Sequence, residues 1–221
     1  GSVVTIENKI IKENTFAGIT VTGEGATARV LNNTIFSNDG NGIEASIDST
    51  LLIQNNIIVS NGEYGISSDQ SVLETMYNNL WNNLVANYNG CSAGIGDISA
   101  DPLFVDLSGS DYHLSEGSPC IDAALSDDAP ETDFDGRVRY DDPDTEPDIG
   151  TGECTYYDIG AYEYYLICEC DLNHDGSCNV FDWFMFIEDW GRTDCTGDCE
   201  CDLNHDGSCN VFDWFIFIED W

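Results

Sequence analysis

Three stretches of this chain repeat one pattern: IENKIIKENTFAGI at residues 6–19, VLNNTIFSNDGNGI at residues 30–43 and IQNNIIVSNGEYGI at residues 53–66. A weaker fourth copy, YNNLWNN, occupies residues 77–83. The copies follow one another at offsets of 24, 23 and 23 residues. A period of this length indicates one supersecondary unit per repeat, with each unit stacked on its neighbours.

Each copy consists of short β-branched runs interrupted by Asn and Gly, a composition typical of strands joined by tight turns. No helical periodicity separates the copies. We therefore expect parallel strands in a coil of one repeat per turn, with equivalent residues about 4.8 Å apart. Two aliphatic stacks are expected to face inward: Ile11, Ile35 and Ile58 in one, and Ile19, Ile43 and Ile66 in the other.

An Asn recurs in every copy, at Asn8, Asn32, Asn55 and Asn78. We expect these residues to form a ladder at a turn, in which side-chain amides bond up and down the stack. Asn32 also begins an Asn-x-Thr glycosylation sequon, so a glycosylated or glycan-binding face is the alternative. The recurrence of Asn in register favours the ladder.

The repeats resemble the right-handed parallel β-helix proteins of the pectate-lyase-like superfamily. Five later segments are similar to the C-terminal end of secreted proteins of that type: residues 78–83, 100–106, 111–114, 117–122 and 158–164. The resemblance implies a mainly β fold, with about four coils followed by a C-terminal cap. It implies no single activity, because this fold hosts lyases, hydrolases, adhesins and passive surface proteins.

The chain is strongly acidic. Its 221 residues include 6 Lys and Arg against 42 Asp and Glu, a formal net charge of −36. Phosphate contacts need basic side chains, so this balance argues against nucleic-acid binding and against docking on an anionic membrane. No apolar run approaches the roughly 18 residues of a membrane-spanning helix. So many carboxylates need screening or bridging, for which divalent cations are the natural candidates.

The scarcity of basic residues also limits a catalytic interpretation of residues 1–165. The resemblance implies that a lyase of this fold would use a Lys or Arg base beside a cation. Lys9 and Lys12 are equally well explained as part of a solvated face. His113 is the one His outside the tail motif, and it lies in a predicted terminal strand. We therefore predict no catalytic residues, with a polysaccharide lyase or glycoside hydrolase as the alternative.

Residues 126–150, SDDAPETDFDGRVRYDDPDTEPDIG, hold ten acids and two Arg. Three Pro and two Gly predict a loop. The DFDG sequence at residues 133–136 could add a further calcium site. A solvated turn partly paired with Arg137 and Arg139 is the better prediction.

The tail contains the sequence DLNHDGSCNVFD twice, beginning at Asp171 and at Asp202. Oxygen ligands on alternating residues, with Gly at the sixth position, are typical of a calcium loop, since calcium is a hard cation of high coordination number. We predict two Ca²⁺ ions, one in each loop. The predicted ligands are Asp171, Asn173, Asp175, Ser177, Asn179 and Asp182 in the first loop and Asp202, Asn204, Asp206, Ser208, Asn210 and Asp213 in the second.

With Asp at the twelfth position of each loop and one helix after each loop, residues 170–221 resemble a type I dockerin. The resemblance implies docking to a cohesin domain. At loop positions ten and eleven, where dockerins usually display polar recognition groups, this chain has Val180-Phe181 and Val211-Phe212. The short helices are crowded with Phe and Trp, so we expect an aromatic packing interface and favour self-association over cohesin docking.

The ten Cys lie among Asp and Gly without His at zinc spacing, which favours an oxidising, extracellular setting. Several disulfides are open to prediction, and Cys154 and Cys199 remain unassigned. The pairings considered are Cys170–Cys178 with Cys201–Cys209, Cys178–Cys209 as their rival, Cys168–Cys195, and Cys91–Cys120.

We divide the chain into parallel coils at residues 1–90, the end of the coils with the acidic loop at 91–167, and the calcium-loop tail at 168–221. The sequence begins inside one coil and stops inside one tail repeat. Either it is part of a longer chain, or another copy covers its open end, and such head-to-tail contacts propagate into filaments. We predict a secreted or cell-surface calcium-binding structural protein that assembles with itself. A carbohydrate-active module, anchored through a dockerin–cohesin interaction and acting on a polysaccharide, is the alternative.

Overall fold

The computed structural model describes residues 3–139, 157–165, 180–188, 190–191, 203, 208–210 and 214. The chain divides into two compact units, Gly1–Tyr164 and Tyr165–Trp221. Within the described residues, no helix is long and apolar enough to cross a membrane.

Three parallel four-stranded sheets form the first unit, and each sheet takes one strand from each of four successive coils. We call this arrangement the coil stack. The first sheet contains β1 (Val3–Glu7), β4 (Thr27–Leu31), β7 (Thr50–Gln54) and β10 (Val72–Met76). The second contains β2 (Ile10–Lys12), β5 (Thr34–Phe36), β8 (Ile57–Val59) and β11 (Asn79–Trp81). The third contains β3 (Ile19–Thr22), β6 (Ile43–Ser46), β9 (Tyr64–Asp69) and β12 (Ala86–Asn89).

The two predicted aliphatic stacks are confirmed, and each extends by one further coil. Burying one such side chain stabilises the fold by about 1.5–3 kcal/mol, so the stacks are a main source of its stability. They consist of Ile11, Ile35, Ile58 and Leu80 in the second sheet and Ile19, Ile43, Ile66 and Tyr88 in the third.

The last coil is one residue shorter than the repeat predicts. Successive strands of the first sheet pair at offsets of 24, 23 and 22 residues, whereas the final offset predicted from the sequence is 23. We call the equivalent turn residues Asn8, Asn32 and Asn55 the turn row. Tyr77, not Asn78, therefore follows Asn55 in this row, and Asn78 aligns with Asn56. The predicted place of Asn78 in the ladder is wrong for this reason.

The turn between the first and second sheets explains why Asn recurs. Asn8, Asn32 and Asn55 have φ angles of +48°, +49° and +59°. Asn tolerates this left-handed backbone better than most residues with a side chain. In the second and third coils the next residue turns inward, and Asn33 and Asn56 are fully buried there.

Residues 100–139 and 157–164, which we call the outer segment, pack on the outside of the coil stack. The segment contains the antiparallel strands β13 (Phe104–Asp106) and β14 (Asp111–Leu114). It also contains a hairpin at residues 131–139, closed by an antiparallel bridge between Thr132 and Val138. Its apolar side chains form a second core with the outward residues of the second sheet, in which the rings of Phe36 and Tyr112 lie 4.5 Å apart.

Chain that follows the last coil bridges to the end of the coil stack. Ile95 and Ile98 form bridges to Met76 and Asn79 in the last coil. The described apolar residues of the outer segment pack laterally on the second sheet.

In the second unit, helix α1 spans Val180–Glu188. The rings of Trp183 and Trp214 lie 4.8 Å apart and those of Phe186 and Trp190 5.4 Å apart. Together with Ile187, the three Trp residues line a cavity of about 370 Å³. The second predicted helix lies mostly outside the described residues, so the predicted dockerin-like domain and its role in packing between molecules stay predictions.

Candidate functional site

Asn33, Asn56 and Asn78 form a continuous amide ladder inside the coil stack. The Nδ2 of Asn33 donates to the Oδ1 of Asn56 (3.0 Å), and the Nδ2 of Asn56 donates to the Oδ1 of Asn78 (2.9 Å). The same oxygens also accept the backbone N–H groups of Asn33 and Asn56, both at 2.9 Å. All three side chains are fully buried, so the ladder satisfies polar groups that water cannot reach.

Asp97 terminates this ladder. Its Oδ1 accepts from the backbone N and the Nδ2 of Asn78 at 2.8 and 2.9 Å, and its Oδ2 accepts from the Tyr88 hydroxyl and the Gly94 amide, both at 2.8 Å. Burial and the nearby charge of Asp97 raise the pKa of Tyr88, so its hydroxyl remains a donor. A carboxylate suits the position because it only accepts hydrogen bonds.

Asn32 and Asn55, in the turn between the first and second sheets, attach the outer segment to the coils. Asn32 donates to the carbonyl of Asp158 (3.3 Å), and Asn55 exchanges two hydrogen bonds with the backbone of Leu125 (2.7 and 3.0 Å). Asn55 also donates to the Oδ1 of Asn32 (3.2 Å), so one rung of the predicted ladder does form. Because Asn32 is fully buried, the folded chain offers no room for a glycan at its sequon.

A buried ion pair joins three parts of the first unit. Arg139 of the hairpin donates through Nη1 to the Oε2 of Glu163 at 2.6 Å, and both side chains are buried. Its Nη2 donates to the carbonyl of Gly160 (2.9 Å) and to the Oδ1 of Asn8 in the first coil (3.0 Å). One guanidinium therefore connects the hairpin, residues 157–165 and the turn row.

Asp158 lies beside this pair and is also buried. Its carboxylate accepts from the backbone amides of Asp122 (2.9 Å) and Tyr164. Burial raises the pKa of Asp158 well above its ordinary value, and the charge of Glu163 raises it further. Among the described residues, no group of three or more acidic, His or Cys side chains is arranged to hold a metal ion.

His113 lies between two carboxylates. Its Nδ1 is 2.6 Å from Asp111 and its Nε2 is 3.0 Å from Asp135, while its ring stacks against Tyr162 at 4.1 Å. Burial lowers the pKa of His113, but the hydrogen bonds and charges of the two Asp outweigh it, and the net pKa is raised. Since both ring nitrogens are engaged, His113 is not positioned as a general base.

The predicted calcium ligands lie almost entirely outside the described residues. Ser208 and Asn210 are the exceptions, and there the Nδ2 of Asn210 donates to the carbonyl of Ser208 (3.2 Å). Cys209 between them is buried and disulfide-bonded, and its partner lies outside the described residues. The calcium sites and the choice between the tail disulfides therefore stay predictions.

In the acidic stretch, the described carboxylates are used within the protein. Asp133 accepts from the backbone amides of Arg137 (2.9 Å) and Glu163 (3.2 Å). A turn is present here, as the sequence predicts. Arg139, however, pairs with Glu163 and not within the stretch. Residues 140–150 lie outside the described residues, so a further calcium site there stays untested.

The basic side chains proposed for a solvated face have protein partners. Lys12 donates to the Tyr112 hydroxyl (2.7 Å), and Lys9 donates to the carbonyl of Asn8 (3.2 Å). The Tyr112 hydrogen bond is the largest cause that raises the pKa of Lys12. A base for proton abstraction needs a neutral amine, so this setting does not suit one.

The predicted Cys91–Cys120 disulfide is wrong, because both thiols are free. Cys91 packs at the edge of the interior core, whereas Cys120 belongs to the outer core. The walls of the coil separate these two cores. The Cys120 thiol instead accepts from the Nδ2 of Asn79 (3.0 Å), and burial raises its pKa to about 12.

Residues 1–100 match a family model described as a right handed beta helix region. The described coils agree with that match, since four turns of chain build three parallel sheets. The first unit is a right-handed parallel β-helix. No curated protein and no solved structure matches the chain. The match and the coil geometry establish the fold of the β-helix, and they assign it no activity.

Proposed function

We propose that this chain is an extracellular calcium-binding structural protein, in which the β-helix is a rigid building unit and the tail is a calcium-dependent joint between copies. The repeated acidic loop of the tail carries the proposal, because two identical copies supply oxygen ligands at calcium spacing. Among residues 3–139, the strands β1, β2 and β3 each lie at an outer edge of their sheets and pair on one side only. Exposed strand edges favour pairing with another strand-bearing molecule.

The face of the first coil has an apolar lining that suits such contact. A cavity of about 510 Å³ opens there, and its apolar lining residues include Val4, Ile6, Val21 and Ala28. Val4 is 56% exposed. A second copy stacked on this face would cover the apolar side chains and pair the strand edges in one step. If the first coil of one copy meets the far end of the next, the contact is head-to-tail and propagates into a fibre or layer.

The sequence of the tail and the net negative charge of the chain both support a role for calcium. Two copies of the same acidic loop supply oxygen ligands at calcium spacing. A chain with a net charge of −36 repels its own copies unless cations reduce the repulsion. Bound calcium would therefore order the tail and allow acidic units to approach one another.

A carbohydrate-active module, the alternative function, has less support. A lyase needs a cationic group directed at its substrate, and the best candidate, Lys12, is hydrogen-bonded to Tyr112. Arg29 is paired with Asp128 (3.0 Å). Neither contact points to a cationic groove.

We expect the purified chain to form ordered polymers in millimolar calcium and to disperse when excess EGTA is added, because chelation removes the joint. Negative-stain electron microscopy of both samples measures this directly. Monomers in both conditions would contradict self-assembly, and the next experiment would then be a binding screen against cohesin domains and polysaccharides.

The variant Asp171→Asn/Asp202→Asn removes the first ligand of each loop and tests whether the loops are responsible. Asp48→Asn/Asp69→Asn is its matched control, since it removes the same charge from the β-helix. Only the loop variant should fail to polymerise and show weakened calcium binding by calorimetry. Equal effects of the two variants would indicate that general charge, not the loops, controls assembly.

Val4→Asp should abolish polymers even in calcium, because it places a charge on the apolar face of the first coil. Val138→Asp is the control, since Val138 is 69% exposed in the hairpin and does not line that cavity. Light scattering in calcium compares the two variants. Normal polymerisation of Val4→Asp would exclude the first coil as the contact surface.

A further inference from the structure

The tip of the hairpin, residues 133–137, contacts residues 161–163 and His113, and the carboxylate of Asp133 accepts the amide of Glu163 (3.2 Å). The amide of Phe134 donates to the carbonyl of Ala161 (2.8 Å), and the Phe134 ring packs edge-on against Tyr162 at 5.3 Å. Asp135 reaches His113 on β14 through a contact of 3.0 Å. Of the contacts that hold the hairpin tip, the one between Asp135 and His113 depends on a titratable ring.

The contacts of the His113 ring require a proton on each of its two nitrogens. Both ring nitrogens face carboxylate oxygens, Nδ1 toward Asp111 and Nε2 toward Asp135. A neutral imidazole carries one N–H, so it can donate to only one of the two. The other nitrogen would then direct a lone pair at a carboxylate. The arrangement is complete only when the ring is an imidazolium.

We propose that protonated His113 is a pH-sensitive lock that holds the hairpin tip against strand β14. When the ring loses its proton, one of its two carboxylate contacts becomes repulsive. The contact with Asp135 is the longer of the two, and its loss releases the tip. Opening would uncover the ring of Tyr162. This inference does not depend on the proposed function.

The charged and titratable groups that face His113 determine whether a rise in pH strengthens or weakens the contact with the hairpin tip. Asp111 lies on β14, Asp135 on the hairpin and Tyr162 on residues 157–165, and the negative charges among them favour the imidazolium. Because the pKa of His113 is raised above its ordinary value of 6.5, the stabilisation is fully present below that value. It is lost as pH rises through the raised pKa.

Hydrogen exchange of the full chain between pH 5.5 and 9 tests the lock. Protection factors, which correct for the intrinsic effect of pH on exchange, report the opening of individual amides. We expect protection of the Phe134 and Arg137 amides to fall on the order of tenfold across this range. The Arg139 amide, at the base of the hairpin, and the strand amide of Ile57 should change much less.

His113→Gln cannot take a proton, so its tip amides should exchange fast at every pH in the range. Lys12→Gln is the control, since it removes a nearby charge that contacts Tyr112 and not His113. The control should keep the pH response. The imidazole ¹⁵N shifts of His113 should show two protonated nitrogens at low pH and titrate at the midpoint of the change in protection.

Two results would overturn the lock. Constant protection of the tip in the unmodified chain would show that the ring does not control it. A pH response that survives in His113→Gln would transfer the effect to another group, and Asp158, whose pKa is also raised, is the nearest candidate.

Discussion

Replacing Arg139 with Met should destabilise the β-helix unit by about 3–5 kcal/mol, the usual effect of removing one partner from a buried ion pair. The reason is the burial of the groups that remain. Glu163 would lose its 2.6 Å contact with the guanidinium and would stay almost fully buried beside Asp158. Urea unfolding followed by hydrogen exchange of peptides from residues 3–139 gives the change in the free energy of unfolding.

Arg29→Met is the matched control for this prediction. Arg29 also pairs with one carboxylate, Asp128 at 3.0 Å, but both side chains are partly exposed. Such pairs contribute about 0–1 kcal/mol, so the control should unfold close to the unmodified chain. The double variant Arg139→Met/Glu163→Gln should recover part of the loss, because no unpaired charge remains at position 163. Similar losses for Arg139→Met and Arg29→Met would contradict the role given to the buried pair.

Asn56→Leu should destabilise the same unit by about 4 kcal/mol or more. The Nδ2 of Asn56 donates to the carbonyls of Val30 and Gln54, both at 2.8 Å, and to the Oδ1 of Asn78. Its Oδ1 accepts two hydrogen bonds from Asn33. Leu has nearly the same size and makes none of these bonds. Each buried polar group left unsatisfied costs about 1–3 kcal/mol, and several are left here.

Thermal unfolding by circular dichroism, with the exchange experiment above, measures the effect. Asn89→Ala is the control, since the exposed Asn89 side chain donates to the hydroxyl of Ser67 (3.1 Å) and to no other described residue. The control should stay within about 0.5 kcal/mol of the unmodified chain. If Asn56→Leu unfolds like the control, the interior ladder does not hold the coils together.

The coils could be predicted from sequence because their signals are local and repeated. Ile at a constant offset forms an inward stack whenever the chain winds once per repeat, and Ile35 and Ile58 show this. The same sequence left one ambiguity. Each copy has two adjacent Asn, and periodicity does not distinguish the one that turns outward from the one that turns inward. In addition, the last coil is one residue shorter than the repeat predicts, and this changed the position of Asn78 in the stack.

Contacts between residues far apart in the chain could not be predicted from the sequence. Arg139 and Glu163 carry no sequence signal of their own, because a chain with 42 acidic residues offers each basic residue many partners. Their pairing exists because the outer segment folds back along the coils and removes both charges from water. The free thiols of Cys91 and Cys120 have the same origin, since the walls of the coil place them in separate cores.

The sequence by itself determined the coil, its inward stacks and the need for Asn at the turns, since these depend on spacing and on the backbone preferences of single residues. It also carries the calcium-loop pattern of the tail. Tertiary structure alone decided which Asn row lies inside, where residues 100–139 and 157–164 pack and which charges are buried. Those outcomes depend on desolvation and on distances between segments far apart in the chain, and neither quantity is encoded in a local pattern.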